Sequence, residues 1–235
     1  MHSITFLPGT LLNKHSFSCV DALLGAAGYS TQTRVLGDCA TLDAEVARLA
    51  ESALSPQVWV GHSLGGILAL NLAIAHPDKC AAIVCIAATA RADAPGNRVK
   101  RLAQLHRAQA AGSCEPISLE MKPVFGLVAG HPSPLAGSLM TQAASVGLNR
   151  FAHQTEYALT RPDRSGLGRV ITCPLLAIAG IDDDICPPEL GDEIATLGAD
   201  GGTNRCVRIS SAGHLVPMTH PQAIAAHIAD FLAAL

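Results

Sequence analysis

The sequence predicts an α/β fold with a mainly parallel sheet of about six strands, flanked by helices and carrying a helical insertion after the fourth strand. Three observations support this prediction. Short apolar segments alternate with longer segments of helical periodicity. The alternation stops between residues 91 and 169 and resumes afterwards. A Gly-x-Ser-x-Gly segment lies between one predicted strand and the helix that follows it.

Alternation of strands and helices is typical of a parallel sheet with helices on both faces. The strand candidates are Ser3–Leu7, Gln32–Leu36, Val58–Val60, Ala82–Ala87, Leu175–Ala179 and Cys206–Ile209. The helix candidates outside the insertion are Phe17–Ala26, Leu42–Ala53, Leu64–Ala75, Pro188–Leu197 and Pro221–Ala234. The last helix begins with a proline, which suits a first helical position. Its spacing predicts one apolar face, made of Ile224, Ile228, Phe231, Leu232 and Leu235.

The insertion contains no clear strand pattern, and proline and glycine residues divide it into amphipathic runs. We interpret residues 91–169 as a cap inserted into a core of residues 1–90 and 170–235. The predicted helical runs of the cap are Arg98–Ala110, Ser118–Val128, Leu135–Val146 and Asn149–Thr160.

Composition excludes several classes of partner. The chain has 235 residues, of which 49% are hydrophobic and 15% charged, so it can bury a large core. A net charge of −3 without a basic run favours neither nucleic acid nor an anionic membrane as a partner. We expect no signal peptide and no membrane span. Eight cysteines without metal-ligand spacing are expected to be free thiols in a cytoplasmic protein.

The segment Gly61-His62-Ser63-Leu64-Gly65 has the pattern of a nucleophile elbow. A sharp turn from strand to helix would raise the Ser63 hydroxyl above the carboxyl edge of the sheet. Glycines on either side would leave room for the adjoining strand and helix. The free N–H groups of the helix N-terminus would attract developing negative charge there.

A serine hydroxyl needs a general base, and the base needs a carboxylate that orients it. The base candidate is His214, directly after the last predicted strand, where we expect Gly213 to allow a tight turn. His220 is a competing candidate. The carboxylate candidates are Asp182, Asp183 and Asp184, which follow the strand ending at Ala179. The spacing from Gly180 and to Pro187 favours Asp183.

An oxyanion hole needs two backbone N–H groups. The residue after the nucleophile, Leu64, supplies one candidate. The loop after the first strand supplies the other, since Gly9 permits close approach of the backbone. We predict that Thr10 donates there, with Leu11 as the second choice.

These segments together resemble the α/β-hydrolase superfamily, in particular its small cap-bearing serine hydrolases. The matching segments are Leu7–Thr10, Gly61–Gly66, the acid loop that ends in Pro187-Pro188, and Ala212–His214. The resemblance implies a helical lid over Ser63. It also implies a sheet of about six parallel strands, because the antiparallel hairpin that begins many relatives is missing here. Pro8-Gly9 stands where many relatives have His-Gly.

The resemblance implies a serine hydrolase that cleaves a small, largely apolar carboxylic ester through an acyl-enzyme. Alternatives on the same triad are a thioesterase, a hydrolase of carbon–carbon bonds and a lyase. A ligand-binding receptor with a vestigial triad is a further alternative. We expect a small-molecule substrate and neither a metal nor an organic cofactor; the oligomeric state stays open. The predicted substrate contacts are Leu11, Met121, Phe125, Met140, Phe151 and Tyr157.

Overall fold

All six strands of the sheet run parallel. The computed structural model describes residues 3–120, 134–199 and 204–235. The strands are β1 (Ile4–Leu7), β2 (Thr31–Thr33), β3 (Gln57–His62), β4 (Cys80–Ile86), β5 (Leu175–Gly180) and β6 (Arg205–Ile209). Their order across the sheet is β2-β1-β3-β4-β5-β6. The predicted α/β class and six-stranded parallel sheet are confirmed.

Helices cover the sheet and fill the interval between β4 and β5. Around the sheet lie α1 (Ser18–Ala26), α2 (Leu42–Ser52), α3 (Leu64–Ala75), α7 (Pro188–Ala195), α8 (Val216–Thr219) and α9 (Pro221–Ala233). The interval holds α4 (Asn97–Ala111), α5 (Glu115–Glu120) and α6 (Pro134–Thr160). A helical lid therefore follows the fourth strand, as predicted. The domain boundaries at residues 91 and 169 stay a prediction.

Both faces of the four inner strands, β1, β3, β4 and β5, are buried, which explains why these strands are apolar at most positions. Successive side chains of a strand point to opposite faces. In β4, Ile83 and Cys85 therefore pack on the side covered by α2, α3 and α7. Ala82, Val84 and Ile86 pack on the opposite side, against α1 and α9.

Three elements differ from the sequence prediction. The strand β2 covers only Thr31–Thr33 instead of Gln32–Leu36. The helix α9 ends at Ala233, so Leu235 lies beyond the apolar face and is 55% exposed. The two predicted helices Leu135–Val146 and Asn149–Thr160 are the two parts of α6, which bends at Gly147, where φ is 78°. The predicted run Ser118–Val128 extends beyond the described residues.

The strand order places a topological switch point between β1 and β3. The chain passes from β1 to β2 on one side and then returns to lay β3 on the other side of β1. Connections leave these two strands in opposite directions, so a crevice opens at their carboxyl ends. The Gly9–Thr10 loop follows β1 and Ser63 follows β3, so both lie at this crevice.

Among the described residues, no helix combines the length and apolarity needed to cross a membrane. All eight cysteines occur as free thiols.

Candidate active site

Ser63 lies in a strained turn between β3 and α3. Its φ of 53° and ψ of −115° fall outside the regions that residues with a Cβ prefer. The turn requires the two glycines of the motif. A Cβ on Gly61 would overlap the carbonyl oxygen of Gly65, and one on Gly65 would overlap that of Leu7. The motif thus brings the start of α3 against the end of β1 with Ser63 at the crest.

The structure brings Ser63, His214 and Asp183 into one hydrogen-bonded chain. The Nε2 atom of His214 lies 3.0 Å from the Oγ atom of Ser63. Its Nδ1 atom lies 2.9 Å and 3.1 Å from the two carboxylate oxygens of Asp183. Since the carboxylate only accepts, Nδ1 carries the proton, and Nε2 is left to accept from the serine hydroxyl. The arrangement can activate an alcohol as a nucleophile.

The structure separates the three consecutive aspartates. Asp183 is buried, whereas Asp182 and Asp184 are exposed. One oxygen of Asp183 accepts hydrogen bonds from the N–H groups of Ile185 and Cys186 at 2.8 Å and 2.9 Å. These donors stabilise the charged carboxylate and fix its direction toward His214. The chain turns and bends through this segment, so its side chains point in different directions, and Asp183 is the one that faces the imidazole.

Gly180, rather than Gly213, lets the His214 loop approach the acid loop. A Cβ on Gly180 would overlap the carbonyl oxygen of Ala212. A Cβ on Gly213 would have ordinary contact distances. The expectation that Gly213 allows the tight turn is therefore corrected. The residue with positive φ in this turn is Ser211, at 56°. His220 lies at the junction of α8 and α9, where its Nδ1 pairs with the hydroxyl of Thr219.

His62, the residue before Ser63, holds the backbone of His214 through a hydrogen bond. Its Nε2 donates to the backbone carbonyl of His214 at 2.8 Å. Burial, followed by the proximity of His214, lowers the pKa of His62 to about 3. The ring is therefore neutral, and the proton on Nε2 leaves Nδ1 as an acceptor. This Nδ1 atom is buried without a hydrogen-bond partner among the described residues.

Two backbone N–H groups beside Ser63 are free to donate hydrogen bonds to a negatively charged oxygen. Within the described part of the chain, the N–H groups of Thr10 and Leu64 have no hydrogen-bond acceptor. Leu64 is also the first residue of α3, where the helix dipole is positive. The N–H of Leu11 is occupied, since it donates to the side chain of Gln154 at 2.9 Å. The geometry thus favours Thr10 over Leu11 as the second oxyanion donor.

Backbone strain is concentrated at this edge of the sheet. In the described residues, four residues other than glycine have positive φ, and each follows the end of a strand. Such strain is typical of functional sites, where the surrounding packing enforces it. The four residues are Leu11, Ser63, Ala87 and Ser211.

A cavity that is open to solvent lies between this edge and the lid. Its floor contains the Gly9–Thr10 loop, His62, Ser63, Leu64 and His214. Its roof consists of lid side chains. The lining residues from the lid are Arg101, Gln104, Ile117, Phe151, Gln154, Thr155, Ala158 and Arg161.

Of the predicted substrate contacts, Phe151 lines this cavity, and Leu11, Met140 and Tyr157 do not. Leu11 packs in a small cluster with lid residues instead. Tyr157 is fully buried, and its hydroxyl donates to the carbonyl of Cys39 beside the buried Glu45. Burial and the Glu45 carboxylate raise the pKa of Tyr157. The apolar character of these residues predicted that they are buried, but not whether they face the cavity or another part of the core. Met121 and Phe125 lie outside the described residues.

A family model for the alpha/beta hydrolase family matches residues 6–227 of this chain. The match covers five strands completely and the second half of β1. It also includes Ser63, Asp183 and His214. The chain belongs to the alpha/beta hydrolase family. The prediction of a hydrolase enzyme with this fold and a lid after the fourth strand is confirmed.

Relatives of this alpha/beta hydrolase include named esterases. A pimeloyl-[acyl-carrier protein] methyl ester esterase of Neisseria meningitidis is 28% identical over 182 residues, which are 76% of this chain and 69% of that protein. The structure of a thermophilic esterase from Thermogutta terrifontis has a TM-score of 0.85 and 23% identity, covering 100% of this chain and 90% of that one. MenH from Staphylococcus aureus has a TM-score of 0.83 and 19% identity, covering 99% and 94%.

Sequence reasoning missed the polar residues that this hydrolase presents from its lid. Arg101 and Arg161 line the cavity although 60 residues separate them in the chain. Both contact Asp93, which precedes α4. The spacing of Asp93 and Arg101 along the start of a helix is a weak local signal for their pairing. No local signal connects either residue to Arg161, because the end of α6 reaches them only through the folding of the lid.

Proposed function

We propose that this protein is a serine hydrolase that cleaves a small, largely apolar carboxylic ester through an acyl-enzyme. The observation that carries the proposal is the hydrogen-bonded chain from Ser63 through His214 to Asp183, which opens into the cavity. In this proposal Ser63 is the nucleophile, His214 the base and Asp183 the orienting acid. The N–H groups of Leu64 and Thr10 form the oxyanion hole.

The first half of the reaction forms the acyl-enzyme. The Oγ atom of Ser63 attacks the ester carbonyl carbon while Nε2 of His214 takes the hydroxyl proton. The carbonyl oxygen becomes negative and accepts hydrogen bonds from Leu64 and Thr10. When the tetrahedral intermediate collapses, the bond to the alcohol oxygen breaks and His214 returns its proton to that oxygen. Asp183 stabilises the imidazolium throughout.

The second half releases the acid. A water molecule gives a proton to Nε2 of His214 and attacks the acyl carbon. The same two N–H groups hold the second oxyanion. The bond to Ser63 Oγ then breaks, His214 returns the proton to the serine, and the product leaves as a carboxylic acid. Both halves need only residues of this chain and water.

Two observations support an ester as the substrate. The curated relative from Neisseria meningitidis is named as a methyl ester esterase. The cavity wall also contains apolar side chains, among them Leu12, Ile67, Ile117 and Phe151, which suit an acyl chain. We further propose that residues 91–169 form the lid domain. The eight free thiols favour a reducing compartment such as the cytoplasm.

The experiment compares rates on p-nitrophenyl butyrate, an acyl thioester and a vinylogous diketone, together with labelling by a fluorophosphonate probe. We expect labelling of Ser63 and the highest kcat/KM on the ester. The Ser63→Ala variant should lose both, whereas the exposed Ser18→Ala variant should keep both. Ser63-dependent turnover only of the thioester or the diketone would replace the ester assignment. Tight ligand binding without labelling or turnover would favour a receptor.

A further inference from the structure

A cluster of three charged side chains forms part of the cavity roof. Arg101 makes two hydrogen bonds to the carboxylate of Asp93, from Nε at 2.8 Å and from Nη2 at 3.0 Å. Arg161 donates to the same carboxylate from Nη2 at 3.0 Å. Both arginines line the cavity that contains Ser63 and His214. Two guanidinium groups thus share one carboxylate at the active-site wall.

The cluster therefore carries one positive charge more than its carboxylate balances. Arginine stays protonated in proteins, and no Asp or Glu is among the described residues that line the cavity. Asp183 lies below the wall, and its oxygens already accept hydrogen bonds from His214, Ile185 and Cys186. The roof is thus electropositive where it faces a bound substrate.

The two arginines differ in their free hydrogen-bonding capacity. Arg161 is nearly buried, and its remaining groups donate to the carbonyls of Arg91 and Ala158. Arg101 is 31% exposed at its side chain and engages Asp93 with Nε and Nη2 only. Its Nη1 group has no acceptor in the described part of the chain. Arg101 is therefore the member that can donate to a ligand.

Burial makes the unbalanced charge of the cluster costly. A guanidinium removed from water is destabilised unless an anion compensates it. Burial, assisted by the neighbouring Arg101, lowers the pKa of Arg161, while Asp93 acts in the opposite direction. An anionic ligand group at Arg101 would offset this cost. It would bind there by a charge-assisted hydrogen bond.

Arg101 also stands where the cavity meets a neighbouring surface groove. Arg101, Gln104 and Ile185 line both the cavity and the groove. The groove contains Lys100 as well, and its Arg107 is paired with Glu120. A substrate that reacts at Ser63 can therefore extend across the roof and place its far end at this junction. The Gln104 side chain adds a polar group there.

We propose that the natural substrate carries a carboxylate at the end of its acyl chain, remote from the ester that reacts, and that Arg101 binds this carboxylate. The proposal rests on the proposed esterase function. We place the carboxylate on the acyl part because the acyl group stays attached to Ser63 through both halves of the reaction. The alcohol leaves after the first half. A contact to the acyl end thus acts on both transition states.

The test uses two esters that differ only at the far end of the acyl chain: the p-nitrophenyl half-ester of adipic acid and p-nitrophenyl hexanoate. We expect wild-type kcat/KM to favour the adipate ester by about tenfold, the effect of one hydrogen bond between charged groups. The Arg101→Gln variant should lose this preference while it still cleaves the hexanoate ester. Arg101→Lys, which keeps the charge, should restore part of it.

A matched control is Arg98→Gln, which removes the same charge from an exposed position of the same helix. It should leave the preference unchanged. A second measurement is independent of turnover: the Ser63→Ala variant should bind adipate more tightly than hexanoate in calorimetry. Equal rates on the two esters in the wild type, or a preference that survives in Arg101→Gln, would overturn the proposal and leave the esterase function intact. If neither ester is cleaved and Ser63 is not labelled, the esterase function itself fails.

Discussion

The floor and the roof of the cavity are built by different means. The floor consists of strand ends and backbone turns, and its central groups are fixed by close contact of glycines with neighbouring backbone. The roof consists of side chains from α4, α5, α6 and the residue after α6, and two of its polar members, Gln154 and Arg161, are held by long-range hydrogen bonds. We infer that, in the proposed function, residues of the floor carry out the reaction and residues of the roof select the substrate.

The roof is not attached evenly to the rest of the protein. The second part of α6 makes hydrogen bonds to the loop after β2: Arg150 to Asp38, His153 to the Gly37 carbonyl, and Gln154 to the Leu36 carbonyl. Among the described residues, no hydrogen bond joins α4 or α5 to the loops after β1 and β2, and Arg107 of α4 pairs with Glu120 of α5 instead. The α4–α5 side is thus the part of the roof that can vary most readily with the substrate.

The largest effect should come from the floor. We expect Ser63→Ala to lower kcat by about 10⁶-fold, as loss of the nucleophile does in other serine triads. KM should change little, since the cavity keeps its walls. Steady-state kinetics on p-nitrophenyl butyrate measure both. Retention of more than a small fraction of wild-type kcat would remove Ser63 from its proposed role.

The acid is the next test of the floor. We expect Asp183→Asn to lower kcat by about 10⁴-fold, because an amide facing Nδ1 favours the wrong histidine tautomer. The same substitution at the exposed neighbours Asp182 and Asp184 provides two matched controls and should have little effect. A greater loss in Asp182→Asn than in Asp183→Asn would show that the orienting carboxylate is misassigned.

The contact between roof and floor is tested at Gln154. Its side chain accepts from the Leu11 N–H and donates to the Leu36 carbonyl, both at 2.9 Å. We expect Gln154→Leu to lower kcat by about 10-fold to 100-fold, since a displaced Thr10 N–H would no longer meet the oxyanion well. KM for a small ester should change less. Gln109→Leu, at an exposed position of α4, is the control. Equal kcat in the two variants would confine Gln154 to a structural role.

The smallest effect concerns the free energy of unfolding. It distinguishes a buried histidine, His62, from an exposed one. In the folded protein the pKa of His62 lies near 3, against an ordinary value of 6.5. Between these values the unfolded chain binds a proton that the native state does not, so stability falls as pH decreases. The slope is about 1.4 kcal/mol per pH unit.

Replacing this histidine should therefore flatten the acid side of the stability curve. We expect His62→Gln to have a smaller dependence of unfolding free energy on pH below 6.5 than the wild type, measured by urea denaturation. His106→Gln, at an exposed position of α4, should retain the wild-type slope. An unchanged slope in His62→Gln would mean that this ring takes up its proton in the folded state.

The sequence alone determined most of the floor, because its strands, turns and glycine positions depend on residues close together in the chain. Periodicity located the strands and most helices, and the positions of Ser63, the aspartates and His214 assigned each of them to the carboxyl end of a different strand. The glycines of the elbow are readable because a sharp strand-to-helix turn excludes a Cβ at fixed positions. The spacing arguments also selected Asp183, the one aspartate of the three that the structure directs toward His214.

Only the tertiary structure decided the roof. The contacts of Arg161 with Asp93 and of Gln154 with Leu11 join residues 68 and 143 positions apart. Apolar character predicted that Tyr157 and Phe151 are buried but not that one faces Glu45 and the other the cavity. A side chain's partner across such a distance depends on how the lid helices pack on the core loops. That packing is a sum of many weak contacts, and no short segment of sequence encodes it.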